Sequence, residues 1–361
     1  GQPIRQRAII GDFRNDENLL VGQLQVAFLR LHNNLVDAVG SFDEARRLTR
    51  YHYQWLVANE YLPSLCDRSV VDELIATESP LYRDFFDAHE PAMAPKMPMP
   101  LEFSVAAFRF GHTMIRGGYD HNHVFGQPVD GLTNRQPFAS LNQLFLFTGD
   151  GRMSFVPEPT PENPDPDPVS VSDRQLPDNW VIDWSRFVNA ETPVRSAKGI
   201  DTRLDPPLDV MINQDDRDRP QPLNELFQHL ARRNLRRGYR LNLPSAQDTI
   251  AGINATGHFR PIQTLAPDVV MENRSINGAD FGTSTPLWFY ILREAETVGS
   301  GHLGPLGTHI VAGTILGLIM KDPSSYWNDL TSGHRWSPST FRPGAPIDSL
   351  KAMLRFTGQL A

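Results

Sequence analysis

Residues 101–116, LEFSVAAFRFGHTMIR, place the tightest constraint on the fold. They follow a Pro- and Met-rich run, Pro91 to Pro100, which no helix crosses intact. Beyond it the pattern is helical without interruption. Val105, Phe108, His112 and Ile115 recur at steps of three, four and three and so share one face. His112 then stands on an apolar stripe, with Phe108 one turn above it. Arg109 lies three residues before it, near enough to flank the same pocket. Taken alone, this is the pattern of a core histidine with satisfied ring nitrogens; the other reading is a neutral imidazole kept for a ligand.

Helical periodicity dominates the rest of the chain. Leu20, Leu24, Phe28, Leu31, Leu35 and Val39 predict a long amphipathic helix closed by Gly40. Arg14 and Glu17 belong to its polar lead-in, where acids suit the positive end of a helix. Ser41 to Glu44 reads as a capping box, opening an aromatic-rich core helix (Tyr51, Tyr53, Trp55, Tyr61) that ends at Pro63. Leu223, Leu226, Leu230 and Asn234 share a face of a helix over 223–243, so Asn234 is expected to be buried and to need partners. Pro286 and Pro305 suit the starts of helices over 286–296 and 306–320. A short helix is expected over 141–147 and a terminal amphipathic one over 347–356, after a loop from Pro338 to Pro346. Pro157 to Pro168 holds six prolines and four acids, the composition of an extended solvated loop. The expected fold is mainly α, one large domain over 1–361 with long loops, little or no sheet, and a loop insertion at 157–178.

The net charge of −8 speaks against a general binder of nucleic acid or anionic membranes. With one cysteine, Cys66, there is no internal disulfide framework. No run of 18 apolar residues predicts a membrane span, and no leader pattern is recognised in a chain opening GQPIRQ. Tyr119 to His123, YDHNH, lacks further ligands at convincing spacing and reads as a polar turn rather than a metal site.

Several blocks occur in a fixed order. GDFRNDE stands at 11–17, with LRLHNNL at 29–35 in the helix after it. The 101–116 stretch follows, then LARRNLRRGYRLNLPS at 230–245 and TPLWFYILREAETVGSGHLGPLGTHIVAGTILGLI at 285–319. Together they resemble the animal-type haem peroxidases, the peroxidase–cyclooxygenase superfamily, and its bacterial members in particular. The resemblance implies a helical haem peroxidase that uses hydrogen peroxide to oxidise a halide or small organic donor through an oxyferryl intermediate. The haem would be haem b or haem attached by an ester. In this resemblance His112 is the proximal iron ligand, and Asn234 accepts its Nδ1–H, fixing the tautomer. Arg109 and Arg237 meet the haem propionates. Arg14 is the distal arginine that polarises bound peroxide, and Glu17 is the residue that forms the ester. Asn18 stands where some members carry a methionine bonded to a haem vinyl, so that link is expected to be absent. His32 matches a structural position, a buried polar residue holding helices together. Arg232, Arg233, Arg236 and Arg240 read as solvated or paired with the acidic surface. A secreted or extracellular location and a role in the response to oxidative stress accompany the family.

One part of the family pattern has no counterpart. The distal histidine, the second ester-forming aspartate and a calcium loop lie upstream of the Gly-Asp-x-Arg motif, and none of the eleven histidines sits in such a context. That histidine moves a proton between the peroxide oxygens. The expectation is an N-terminal light chain or further segment that carries it, with calcium bound there. The alternative is a haem-binding scaffold without turnover. A fatty-acid dioxygenase of the same superfamily would carry a radical-forming tyrosine three residues before the proximal histidine, where this chain has Arg109.

Overall fold

The computed structural model describes residues 10–93, 97–126, 138–141, 143–145, 154–155, 161, 169–170, 178–188, 195–211, 220–272, 281–331 and 333–360. Among them the chain is mainly α, and its strands form three two-residue antiparallel ribbons. Apart from residue 161, the 157–168 loop lies outside the described residues, between the paired strands Ser154–Phe155 and Val169–Ser170. The chain forms two compact units, one from 1–52, 116–196 and 338–361, the other from 53–115 and 197–337.

The first unit is built on the helix Leu19–Val39. Asn18 caps it by accepting from Val21 N, and Gly40 closes it at φ 68°, a left-handed position that suits glycine. The helix buries Leu19, Ala27, Leu31 and Leu35. Its Gln23 clamps the 180–182 segment from both sides, donating to Trp180 O at 3.3 Å and accepting from Ile182 N at 2.9 Å. Trp180, Ile182 and Trp184 are buried there. Asn34 Nδ2 donates to Phe356 O at 2.8 Å, tying in the terminal helix Leu350–Phe356. In YDHNH, Tyr119 ends a two-residue strand and the chain then bends, with His121 and Asn122 buried and His123 exposed. Asn122 accepts from Val124 N and Phe125 N, and its amide donates to Asn179 O and Val181 O. His121 is fully buried, stacked on Phe125 at 5.1 Å. Asp120 and Arg186 form a buried ion pair beside it. His32 departs from expectation: it is half-buried, edge-on to Phe42 at 5.1 Å, rather than interior.

The helix Phe42–Leu56 passes into a π turn, Val57–Tyr61, and then into Leu62–Leu65. It does not stop at Pro63. Proline at the first turn of a helical segment lacks only an N–H that would be unpaired there. Tyr53 and Tyr61 face solvent, against expectation, while Tyr51 is core.

In the second unit the helix Pro305–Lys321 is apolar on nearly every side and packs against Arg68–Ala76 and Pro80–Met93. The latter runs past Pro91 before ending at Met93. Gly317 is required, since a Cβ there would lie 2.4 Å from the Tyr82 ring. Glu294, on Leu287–Thr297, accepts from Leu306 N and Gly307 N at 3.1 Å each, so a buried carboxylate caps the next helix. The tail after Trp336 holds a short helix, Pro338–Phe341, where the sequence predicts loop. Of the expected helix over 141–147, the described part is a 3-10 turn, Gln143–Phe145.

Candidate functional site

The 101–116 stretch is helical but not α. Glu102–Ala106 forms a π turn, Ala106 breaks it at φ −120°, ψ −71°, and Ala107–Met114 continues as 3-10 helix. With three residues per turn the buried positions become Ala107, Phe110 and Thr113. The stripe read from an α period is therefore corrected. Phe108 is 45% exposed, stacked on Phe103 at 4.7 Å, and His112 is half-buried rather than core. The backbone is pinned by Trp288, whose indole N–H donates to Arg109 O at 3.2 Å.

The expected single helix over 223–243 is two, Gln221–Gln228 and Leu230–Arg240, separated at His229 (φ −87°, ψ 102°). Leu223 turns outward, whereas Leu230 and Asn234 are buried. Asn234 reaches His112: its Nδ2 lies 3.0 Å from His112 Nδ1. Its Oδ1 accepts from Arg109 Nη1 at 3.4 Å. The hydrogen bond thus runs opposite to the sense implied by the resemblance. A guanidinium is donor only, so Arg109 takes the amide oxygen and the amide nitrogen is left for the imidazole.

Burial, with Arg109 and Arg233 nearby, pushes the His112 pKa down to about 4, so the ring is neutral at physiological pH. Among the described residues nothing bonds its Nε2. Arg109 is lowered too, by burial and then by Arg237 and Arg233, and its Nε is buried with no described acceptor. These arginines, with Arg236 and Arg240, line one cleft of about 420 Å³ that also includes Asn234. Among the described residues no acidic side chain lines it. The sequence reads Arg233, Arg236 and Arg240 as solvated or paired with the acidic surface. Arg236 and Arg240 are indeed exposed, but all three share the face of Arg237. Their spacing of three and four along Leu230–Arg240 was the signal that could have found them.

Arg14 and Glu17 belong to the first unit. Asp12 caps a 3-10 turn, Phe13–Asp16, by accepting from Arg14 N, and its carboxylate also takes the Arg14 guanidinium at 2.5 Å. That fork holds Asp12 well below the usual carboxylate range. The Arg14 side chain is 71% exposed. Glu17 follows the turn and is exposed. The described residues contain no metal-binding group of histidines, cysteines and acids.

The donor set of the second unit fits a haem. A neutral imidazole is oriented by a buried amide. Beside it a cleft with no carboxylate among its described lining residues is crowded with guanidinium groups that repel one another and need anions. Arg109, through Asn234, links the two.

The animal haem peroxidase family matches residues 3–136, which include Arg14, Glu17, Arg109 and His112. A peroxidase-like protein of Margaritifera margaritifera is 30% identical over 157 residues, 40% of this chain and 19% of that protein. A chorion peroxidase of Aedes aegypti is 30% identical over 119 residues, 30% of this chain and 14% of its own. Peroxidasin homolog pxn-2 of Caenorhabditis elegans is 26% identical over 148 residues, 38% of this chain and 10% of its own. The chain thus matches a fifth or less of the length of these relatives. Over residues 3–136, then, the chain is similar to the animal haem peroxidases, and each of these peroxidase-like relatives resembles a part of it.

Proposed function

We propose that the chain binds haem through His112 and works as a peroxidase, reducing hydrogen peroxide and oxidising a small donor. The observation that carries this is the His112–Asn234 contact beside the arginine-lined cleft. Haem, when bound, supplies the redox centre at which peroxide is reduced and a donor oxidised. His112 offers the Nε2 lone pair. For that the ring proton must sit on Nδ1, so Asn234 turns its Oδ1 to the imidazole and gives up its bond to Arg109. Arg109, so freed, and Arg237 would hold the two propionates as charge-assisted pairs. By the family resemblance, Arg14 would be the guanidinium that polarises a peroxide O–O bond and stabilises the departing hydroxide. Glu17 would be, by the same resemblance, the carboxylate that forms an ester to the haem. None of the histidines stands in the sequence context of a distal base, so the proton acceptor is assigned to a separate segment or light chain.

Reconstitution with haem tests this. The natural chain should give a ferric haem band, and His112→Ala should lose or strongly shift it. Arg14→Ala should keep the band and react with peroxide roughly a hundredfold more slowly. An unchanged band in the His112 variant would remove the assignment.

A further inference from the structure

Five guanidinium groups line the cleft, and in the function proposed above two of them, Arg109 and Arg237, would be taken by propionates. Arg233, Arg236 and Arg240 remain, and they fall on one face of Leu230–Arg240 with Arg237 between them. Arg236 and Arg240 form no ion pair with a described residue. Arg233 donates to the Phe227 carbonyl at 3.2 Å and lies 5.6 Å from the Phe227 ring. Such a concentration of positive charge is unusual in a chain whose net charge is −8. Phe227 and Leu230 add an apolar wall to the same cleft. A halide would make no use of that wall, and a bare phosphate little. A flat aromatic body with a carboxylate uses both halves: the ring lies against Phe227 and the guanidinium planes, and the carboxylate meets an arginine fork.

We propose that Arg233, Arg236 and Arg240, with Phe227 and Leu230, form a binding site for an aromatic carboxylate. That this ligand is the donor oxidised by the peroxidase rests on the function proposed above; the binding itself does not.

The haem-free chain is titrated with 2-naphthoate, followed by its fluorescence, and with the neutral 2-naphthamide. Saturable naphthoate binding that weakens with added salt is expected. Arg236→Gln/Arg240→Gln should weaken it roughly tenfold or more, with the amide not binding. Both arginines are exposed, so the double variant keeps its fold, which circular dichroism checks. Arg233→Gln is the second probe and should weaken binding as well. The double variant should take up haem as the natural chain does. Equal binding of the amide, or unchanged naphthoate affinity in both variants, overturns the proposal. If arginine-dependent naphthoate binding appears in a chain that takes up no haem, the site stands and the peroxidase reading falls. If haem uptake is normal and naphthoate does not bind, the site alone falls.

Discussion

Asn234 is the residue on which the second unit's chemistry turns. Its amide is shared between a donor, Arg109, and a ring nitrogen, His112 Nδ1, and each atom of the amide suits one of them. Asn234→Leu would leave both neighbours without a partner. The expected cost is about 1–3 kcal/mol of stability, read as a lower urea midpoint, together with weaker haem uptake. Asn234→Asp should remain folded, because a carboxylate accepts from the guanidinium and from a protonated Nδ1 alike. By drawing the Nδ1 proton it makes the imidazole a stronger donor to iron, so the reduction potential of bound haem should fall. A rise in that potential, measured by spectroelectrochemistry, would contradict the role given to Asn234. Its burial was legible in the sequence, since the Leu226, Leu230, Asn234 spacing puts a polar residue on an apolar face. The sense of its hydrogen bond was not, because that is set by Arg109, 125 residues away in sequence.

The helix around His112 is where periodicity misleads. Val105, Phe108 and His112 match an α period, and Ala107, Phe110 and Thr113 match a 3-10 period. The sequence alone favours the first because its residues are larger. The structure takes the second, because the π turn before Ala106 shifts the register and the Trp288 indole holds Arg109 O from outside. The two registers differ measurably. Phe110 is 2% exposed, so Phe110→Ala should cost about 3–5 kcal/mol. Phe108→Ala loses chiefly the stack on Phe103, about 1 kcal/mol. An α-helix would reverse that order, and urea melts of the two variants decide between them. Pro63 and His229 repeat the lesson. A proline in the middle of a helical run reads as a stop and is passed through, while a histidine that carries no breaking signal ends a helix. Pro63 is tolerated because it falls in the first turn of a new helical segment, and at His229 the backbone leaves the helix while its Nδ1 meets Asp209 O at 3.0 Å.

At the scale of the whole molecule the buried titratable groups oppose one another. His112 and His121 are both pushed down to about 4, chiefly by burial, and Glu294 is pushed up to about 7 by burial despite its two backbone N–H partners. The sequence predicts a core helix over 286–296 and names no partner for Glu294. Only the start of Pro305–Lys321, folded back onto it, makes it interior. The unfolded histidines bind protons below their ordinary value of 6.5 while the folded ones do not, so they add stability above that value that is lost as pH falls toward 4. Glu294 has the reverse sign. The folded chain holds a proton that the unfolded chain has released, so its contribution is whole below its ordinary 4.5 and is lost as pH rises through about 7. Stability should therefore climb from pH 4 to about 6 and decline again by pH 8. Glu294→Gln tests this directly. At pH 5 the variant should be less stable by about 1–3 kcal/mol, since one amide oxygen cannot serve both Leu306 N and Gly307 N. By pH 8 the difference should shrink, because glutamine has no charge to desolvate, and the decline above pH 6 should disappear while the acid limb stays. A gap between the two chains that is the same at pH 5 and pH 8, followed by urea midpoint, would mean that the carboxylate stays ionised throughout and that its helix-capping bonds outweigh its burial.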